Sequence, residues 1–285
     1  MSIALFQALN GLTFAALLFL VASGFTLVFG LMRIINLAHG ALYLLGGYVA
    51  LAAVTRSGSF PLGLLAAAGA IAVAGLAVDR LLLGFVKGFE LRQVLLTLGV
   101  ALAIDDTALV VWGGDTFSVP LPQWLQGPLH VGDFFYPRYR VFVLGVGIAV
   151  FVLLWLMIHR TRLGALIRAG VDDPETVAAM GVDIRLVFAG TFMIGSALAG
   201  LGGALGGAFL SLYPTADSEI LVFSLAVVII GGRGSLVGAA VGSLFVAMLA
   251  NFGQLWFPEL AYFVIFGPMA LLLAFRPLGL FGRTA

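Results

Sequence analysis

Two neighbouring carboxylates, Asp105 and Asp106, interrupt an otherwise apolar stretch of the chain. An ionised carboxylate at the centre of a bilayer costs roughly 3 kcal/mol on insertion scales, so such residues point to a function or to a position near an interface. One of the two could line a translocation route and meet an ammonium group. Alternatively, one could cap a helix break or reach the outer interface. Because neighbouring helical residues point about 100° apart, we do not expect both to face one cavity.

His39 is the one histidine of the sequence inside an apolar segment. It could sense pH or gate a pathway, but such a side chain more often bonds a neighbouring backbone group and orders a tight turn, which is the role we favour. Asn36 could N-cap the segment that follows. No Ser/His/Asp or His/Glu constellation indicates catalysis, and the sequence has no cysteine for disulfides or metal ligation. We therefore expect neither an enzyme nor a metal site.

The elements that must position these residues are membrane-spanning helices. Of the 285 residues, 62% are hydrophobic and 9% charged, against about 25% charged in a soluble domain. Runs of about 20 apolar residues can span a bilayer. The sequence therefore predicts an all-α polytopic transmembrane helical bundle, one domain over 1–285. Its eight or nine hydrophobic segments lie at about 9–31, 38–54, 60–85, 93–112, 139–158, 187–211, 219–232, 235–251 and 259–275.

Three of these segments, 38–54, 219–232 and 235–251, are short enough to be broken or re-entrant. The basic residues orient the chain, because cytoplasmic loops carry more Lys and Arg. With the N-terminus outside, 11 of the 14 Lys and Arg residues, including Arg233, fall on the cytoplasmic side. We expect a cytoplasmic C-terminus. The first eight residues lack the basic region of a cleavable signal, so the first apolar segment should remain a span.

Glycine is the second compositional signal, with 38 residues. Small residues let membrane helices approach each other closely. The glycine-rich run from Gly195 to Gly207 is dense enough to predict a packed helix face. A long outer loop, about 113–137, is rich in proline and aromatic residues, and we interpret it as an interfacial loop with an aromatic belt.

The inner loop, about 159–185, is the most polar stretch of the chain. Its first predicted helix covers 162–169 and ends at Gly170. The second has Asp173 as its N-cap and ends at Gly181. Such short, rigid helices could pass a conformational change to a separate motor. An ordinary cytoplasmic loop with amphipathic helices lying on the membrane would carry the same pattern.

Three stretches together resemble the permeases of branched-chain amino-acid ABC importers. The family's coupling loop is matched by RLGALIRAGVDDPETVAAMGVDIRLV, its N-terminal signature by MRIINLAHGALYLLGGY, and its C-terminal Gly-Gly-x-Gly-Ser segment by VIIGGRGSLVGAAVG. The matches keep the family's order, and the similarity covers essentially the whole chain. Asp105 and Asp106 depart from the pattern, since similar permeases usually carry polar or single acidic residues there.

The resemblance implies a permease of the bacterial inner membrane that pairs with a second, homologous but non-identical permease. It also implies two cytoplasmic ATPase subunits and an external substrate-binding protein. ATP and Mg would reside on the ATPases, because this chain has no GxxxxGK[ST] loop, and we expect no cofactor here and no nucleic-acid partner. The residues implied for coupling to the ATPases are Arg162, Gly164, Ala169, Asp172, Pro174, Ala178, Met180 and Gly181. The residues assigned to the pathway or its gating are Asn36, His39, Gly40, Asp105, Asp106, Gly231, Gly232, Gly234 and Ser235.

The resulting hypothesis is an ABC-importer permease that moves a small amphipathic solute by alternating access. By resemblance, the solute is a branched-chain or other hydrophobic amino acid. Permeases for urea, short amides and small carboxylates are similar and remain alternatives. An ion-coupled secondary transporter or channel is an alternative of another class, but it normally needs several dispersed intramembrane ionisable groups.

Overall fold

A computed structural model describes residues 3–32, 35–86, 89–131, 134–232, 234–276 and 278–282. The chain folds into a helical bundle with one short β-hairpin. The helices are α1 (Ile3–Met32), α2 (Ala38–Ser57), α3 (Phe60–Ala77), α4 (Glu90–Trp112), α5 (Arg138–Arg160), α6 (Arg162–Asp172), α7 (Pro174–Ala179), α8 (Ile184–Phe209), α9 (Ala216–Gly231), α10 (Leu236–Trp256) and α11 (Ala261–Phe275). The hairpin strands are β1 (Pro128–Val131) and β2 (Phe134–Pro137).

Seven helices in the described part of the chain are long and apolar enough to cross a membrane, namely α1 to α5, α8 and α10. The other two apolar helices, α9 and α11, have 16 and 15 residues, whereas a straight span needs about 20. This arrangement confirms the predicted all-α polytopic bundle. It also places the predicted short segments: 219–232 becomes α9, while 38–54 and 235–251 extend to full-length helices.

The two ends of the bundle are distinguished by what they carry. Tyr136 of β2 lies against the first half of α1, where its hydroxyl is 3.0 Å from Thr13 Oγ1. We call this end the hairpin side. At the other end α6 packs against α1 and α8, and we call that end the coupling-loop side. Arg233, for which the charge bias predicts a cytoplasmic position, lies outside the described residues.

The bundle contains an inverted repeat that the sequence analysis does not predict. Helices α1 to α4 form one unit and α8 to α11 the other, joined by α5 to α7. Helix α1 packs on α10 as α8 packs on α3, and α2 lies between α3 and α4 as α9 lies between α10 and α11. Helices α1 and α8 are antiparallel, since Gly24 meets Gly195 and Val21 meets Gly202. Inverted repeats of this kind place solute sites at the interface between the two units.

Helix α8 is the most closely packed element, as the glycine run predicts. A Cβ on Gly195 would lie 2.7 Å from the carbonyl oxygen of Gly24 in α1. A Cβ on Gly200 would lie 2.7 Å from the carbonyl oxygen of Ala67 in α3, and one on Gly203 would collide with the Tyr43 carbonyl of α2. The predicted packed face is therefore confirmed, and it brings three helices against α8 at once.

The structure corrects one sequence prediction of local structure and adds detail to two others. Helix α6 does not stop at Gly170 but continues to Asp172. It ends there because Pro174 disfavours helical backbone at the residue before it, Asp173. The predicted apolar segment 60–85 is confirmed as one candidate span, Phe60–Val86. Within it α3 ends at Ala77, and the chain continues as a π-helical and then a 3₁₀ turn to Val86. The outer loop contains the β-hairpin, which the sequence analysis does not predict.

Candidate functional site

The N-terminal signature forms the start of α2 inside the bundle. The side-chain oxygen of Asn36 accepts a hydrogen bond of 3.1 Å from the amide of Ala38, as expected for a capping asparagine. The Leu37 amide donates to Thr97 Oγ1 at 3.1 Å, which ties the same turn to α4. Both contacts satisfy amides that the first turn of a helix leaves without an intrahelical partner.

His39 bonds a backbone group, but not the one expected. Its Nε2 lies 2.9 Å from the carbonyl oxygen of Val21, in the middle of α1, and its ring packs edge-on against Phe25. The favoured role in a local tight turn is therefore wrong. The histidine instead holds two helices together, because the chain folds back after α1 and α2 begins level with the interior of its neighbour. His39 is completely buried.

Gly40 allows the buried ends of α2 and α9 to touch. A Cβ at this position would collide with the carbonyl oxygen of Asp217 and would lie 3.0 Å from the Cβ of Leu221. The first turns of α2 and α9, one from each repeat, therefore meet inside the bundle. In membrane transport proteins such helix starts at membrane depth commonly line the solute site.

The connection between α8 and α9 is a second unusual element, next to the place where α2 and α9 meet. Leu212 is fully buried and pairs with Phe117 of the loop that precedes the hairpin, through hydrogen bonds of 2.8 and 2.7 Å. Ser211 and Thr215 adopt left-handed backbone conformations, with φ of 72° and 82°. Such conformations are costly for residues other than glycine, above all for a β-branched threonine, and they concentrate at functional sites.

Asp105 and Asp106 both line one cavity of about 170 Å³, which we call the aspartate cavity. The expectation that two adjacent helical residues would not share a cavity is wrong. The cavity extends along the flank of α4 and reaches both side chains. A third carboxylate, Asp217 in the first turn of α9, lines the same cavity. Within the described residues these side chains do not form a metal-binding group.

A second cavity, of about 230 Å³, lies across the α8–α9 connection from the first. We call it the Glu219 cavity. Both cavities are lined by residues of the connection and of the first turns of α9, so this short segment separates them. The walls of the Glu219 cavity come from α1, α2, the end of α8, α9 and α10, with lining residues Phe14, Tyr43, Phe209, Leu210, Ser211, Tyr213, Ala216, Glu219, Ile220, Phe223, Ala250, Asn251 and Gln254.

The C-terminal signature forms the tight turn from α9 to α10. Gly231 packs against Gly238, and a Cβ on Gly30 would lie 2.6 Å from the Cα of Gly234, near the coupling-loop end of α1. The hydroxyl of Ser235 accepts a hydrogen bond of 3.0 Å from the Gly238 amide and caps α10. Gly232 has a φ of 96° and lies against the C-terminal segment. These residues line neither cavity, and their role in gating stays a prediction.

The coupling loop is built from two capped helices that stand at one end of the bundle. Thr161 caps α6, with its hydroxyl accepting from the Gly164 amide at 3.1 Å. Asp173 caps α7 as predicted, accepting from the amides of Glu175 at 3.1 Å and Thr176 at 3.0 Å. Hydrogen bonds from the Thr176 hydroxyl and amide lower the pKa of Asp173, with a smaller contribution from the Glu175 amide.

Different residues of the coupling loop form its exposed surface and its buried contact with the bundle. Met180 is 77% exposed at the end of α7, next to exposed Ala178, and Gly181 follows with a φ of 84°. Ile167 of α6 is buried against Val187 of α8, which anchors the loop to the bundle. The exposed residues of the implied coupling set include Arg162 and Ala169, whereas Gly164 is buried. Asp172 and Pro174 lie in α6 and α7, and their side chains are outside the described part of the structure.

The sequence analysis misses several residues of this site. Asp217, Glu219 and Tyr43 line the cavities. Asp217 and Glu219 flank the start of a predicted segment, where acidic residues are ordinary helix-start features. An inverted-repeat comparison would have given a signal, because Asp217 and His39 are each the second residue of the buried helix in their repeat.

The structure combines an inverted pair of helical repeats, buried helix starts flanked by cavities and an exposed helical loop at one end, which are typical of membrane transport permeases. The family model for the permease component of branched-chain amino acid transport systems matches residues 7–273. The chain therefore belongs to this family. It is a multi-pass protein of the bacterial inner membrane. The prediction of a transport permease rather than an enzyme is confirmed.

Two relatives named for branched-chain amino acid transport match nearly the whole length of this chain. It is 30% identical to the high-affinity branched-chain amino acid transport system permease protein BraD of Pseudomonas aeruginosa, over 97% of this chain and 95% of that protein. It is 28% identical to the corresponding permease LivH of Escherichia coli, with the same coverage. The fructose import permease protein FrcC of Rhizobium meliloti is 28% identical over 62% of this chain and 53% of its own length. No solved structure matches.

Proposed function

We propose that this chain is the permease of an ABC importer for a branched-chain or other hydrophobic amino acid. The observation that carries the proposal is the similarity to permeases named for branched-chain amino acid transport across 97% of the chain. The largely apolar bundle suits a solute with an aliphatic side chain, and the carboxylates at the two cavities suit one with an ammonium group.

The motor would be a pair of separate ATPase subunits, which would hold ATP and Mg. The capped helices α6 and α7 are short and rigid, and the exposed Met180 side chain gives them an apolar knob. Such a shape fits a cleft on a partner protein. A second, homologous permease would complete the membrane unit, and an external binding protein would deliver the solute to the hairpin side.

Transport would follow alternating access. Closure of the ATPases would displace α6, which packs on α8 through Ile167 and Val187. Because the α8 glycines bring α1, α2 and α3 into direct backbone contact, a displacement of α8 would shift the two repeats relative to each other. That shift would move the buried starts of α2 and α9, which meet at Gly40 and Asp217.

The proposal is tested by purifying the chain with its cognate transport components and reconstituting them in liposomes. We expect an ATPase to co-purify and L-leucine to accumulate only with ATP and the binding protein. Recovery of the chain without an ATPase would contradict the importer assignment. Accumulation of urea, a short amide or a carboxylate in place of leucine would move the assignment to that solute.

The proposed orientation puts the N-terminus outside and the coupling-loop side in the cytoplasm. The chain has no cysteine, so Ser235→Cys creates a single reactive thiol without background. We expect it to react with membrane-permeant thiol reagents and not with impermeant reagents added to intact cells. Labelling by the impermeant reagent would reverse the orientation.

A further inference from the structure

The Glu219 cavity combines an apolar wall with a charged rim. Phe14 of α1 and Phe223 of α9 form its apolar wall, with ring centroids 5.6 Å apart in an edge-to-face arrangement. Ile220 and Ala250 are buried at its lining. At about 230 Å³, it is smaller than the roughly 300–1,000 Å³ of pockets for drug-sized ligands. Its size and walls favour a small solute with an aliphatic group.

The rim of the cavity offers a carboxylate in a fixed position. Glu219 accepts a hydrogen bond of 2.8 Å from the hydroxyl of Tyr213, which comes from the α8–α9 connection. A carboxylate has about four acceptor positions, so the tyrosine orients this group and leaves it able to receive an ammonium. Gln254 is exposed on the same rim, and its amide can donate to a carboxylate.

We propose that the Glu219 cavity is a transit subsite for a branched aliphatic amino acid, a proposal that rests on the solute class given above. The aliphatic side chain lies against Phe14, Phe223 and Ile220. The ammonium group pairs with Glu219, and the carboxylate meets the amide of Gln254. A zwitterion that leaves water needs a partner for each charge, and a charge-assisted hydrogen bond is about twice as strong as a neutral one. The cavity supplies these partners beside its apolar wall.

The subsite is placed where a conformational change would release its ligand. Leu210 and Ser211 of the α8–α9 connection line the cavity, and Ser211 has a left-handed backbone. A rearrangement of this connection would change the cavity wall and move Tyr213 away from Glu219. The ligand would then lose its oriented ammonium partner.

The decisive experiment measures protection of a thiol inside the cavity. Ala250→Cys is placed in the cysteine-free chain, and the complete reconstituted transporter is treated with a water-soluble maleimide. We expect L-leucine, delivered with its binding protein, to slow labelling of this thiol. Glu259→Cys, at the exposed α10–α11 connection, is the matched control and should react at the same rate with and without leucine. Equal labelling of Ala250→Cys in both conditions would overturn the subsite.

Glu219→Gln tests the ammonium contact separately. Loss of a hydrogen bond to a charged group should lower leucine uptake at saturating binding protein by about tenfold, while Glu259→Gln keeps the wild-type rate. Unchanged uptake in Glu219→Gln would overturn the pairing with ammonium. A wild-type transporter that takes up no leucine would instead overturn the proposed function. If Glu219→Gln does not fold, protection at Ala250→Cys still decides the subsite.

Discussion

The coupling loop and the α8–α9 connection both interrupt the membrane helices, but they are stabilised in different ways. In the coupling loop, Thr161 and Asp173 cap the helices that follow them through hydrogen bonds to amides two or three residues ahead. In the α8–α9 connection, Leu212 bonds to Phe117, and Val119 donates to the Gly207 carbonyl at 3.1 Å. The helices of the first region are capped by residues next to them in sequence, whereas the second region is also held by hydrogen bonds to distant parts of the chain.

The two regions would also bind different partners. The coupling loop would bind an ATPase, and the α8–α9 connection lies beside the cavities that would bind a solute. A loop with local caps keeps its shape while it moves as a unit, so it can transmit a displacement. A connection that depends on distant contacts and holds two left-handed residues changes shape when those contacts shift. The two kinds of stabilisation therefore suit the two roles, and changes at each region should have different consequences.

The largest effect is expected where α8 links the two regions. Gly203→Val would drive a branched side chain into the Tyr43 carbonyl and the Gly47 amide of α2. Overpacking in a well-packed core typically lowers the free energy of unfolding by about 1–3 kcal/mol. Here the opposing atoms belong to the backbone, which cannot change rotamer to relieve the clash. We expect loss of folded protein, measured by size-exclusion chromatography of a fluorescent fusion.

Gly190→Val is the control for this change, because it lies in the same helix and a Cβ there meets no atom within 4 Å. It should give a normal chromatographic profile. If Gly203→Val were as well folded as Gly190→Val, the close contact between α8 and α2 would be disproved.

The next largest effect is expected from a change confined to the coupling loop. Met180→Asp replaces the exposed apolar knob with a charge, which should prevent docking without disturbing the bundle, because the side chain is 77% exposed. We expect leucine uptake to fall to background and the ATPase to be lost on co-purification, while the amount of membrane-inserted protein stays normal. Gly181→Trp should act similarly, because its backbone φ of 84° strains any other residue.

Met180→Leu supplies the matched control, since it keeps an apolar side chain of similar volume. Uptake and co-purification should both persist in this variant. Unchanged uptake and co-purification in Met180→Asp would show that the loop is not the docking element.

The coupling loop could be predicted from the sequence because its determinants are local. Asp173, Pro174 and Gly181 carry their cap and turn preferences wherever they stand. The helix end at Gly170 was wrong for a related reason, since Pro174 provided the stronger stop signal. The number and approximate positions of the apolar helices were also predictable, because length and hydropathy decide membrane insertion.

The cavities could not be predicted, because they depend on which helix starts meet inside the bundle. His39 was expected to bond locally and instead reaches Val21 in another helix. Asp105 and Asp106 were expected to diverge, whereas the space they share is created by α9 and the α8–α9 connection. No local pattern encodes the approach of Gly40 to Asp217. That contact follows from the packing of the two repeats.

A smaller effect tests the strain in the α8–α9 connection. Thr215 has a φ of 82°, a conformation that costs on the order of 1–3 kcal/mol for a residue other than glycine. Thr215→Gly should therefore raise the thermal unfolding temperature of the purified protein. Ser218→Gly, three residues on in helix α9, should lower it, because glycine inside a helix costs about 0.5–1 kcal/mol. A lower unfolding temperature in Thr215→Gly would mean that the threonine side chain contributes more than its backbone costs.

The smallest effect concerns the Asp173 cap. The lowered pKa of Asp173 means that its charged form is favoured by the folded loop. The cap therefore stabilises α7 above the unfolded pKa of about 3.9, and this contribution is lost as the pH falls through the folded pKa. Asp173→Ala should speed hydrogen exchange of the Glu175 and Thr176 amides at neutral pH, and the difference from wild type should shrink as the pH falls below the unfolded pKa of about 3.9.

Asp183→Ala is the control, because this aspartate caps the Arg185 amide of α8 at 2.9 Å and not the amides of α7. It should leave exchange at Glu175 and Thr176 unchanged, as expected for caps that act only on the residues just ahead of them. If both variants speeded exchange in α7 equally, the coupling loop would depend on distant contacts as the α8–α9 connection does. The coupling loop and the α8–α9 connection would then not differ in how they are stabilised.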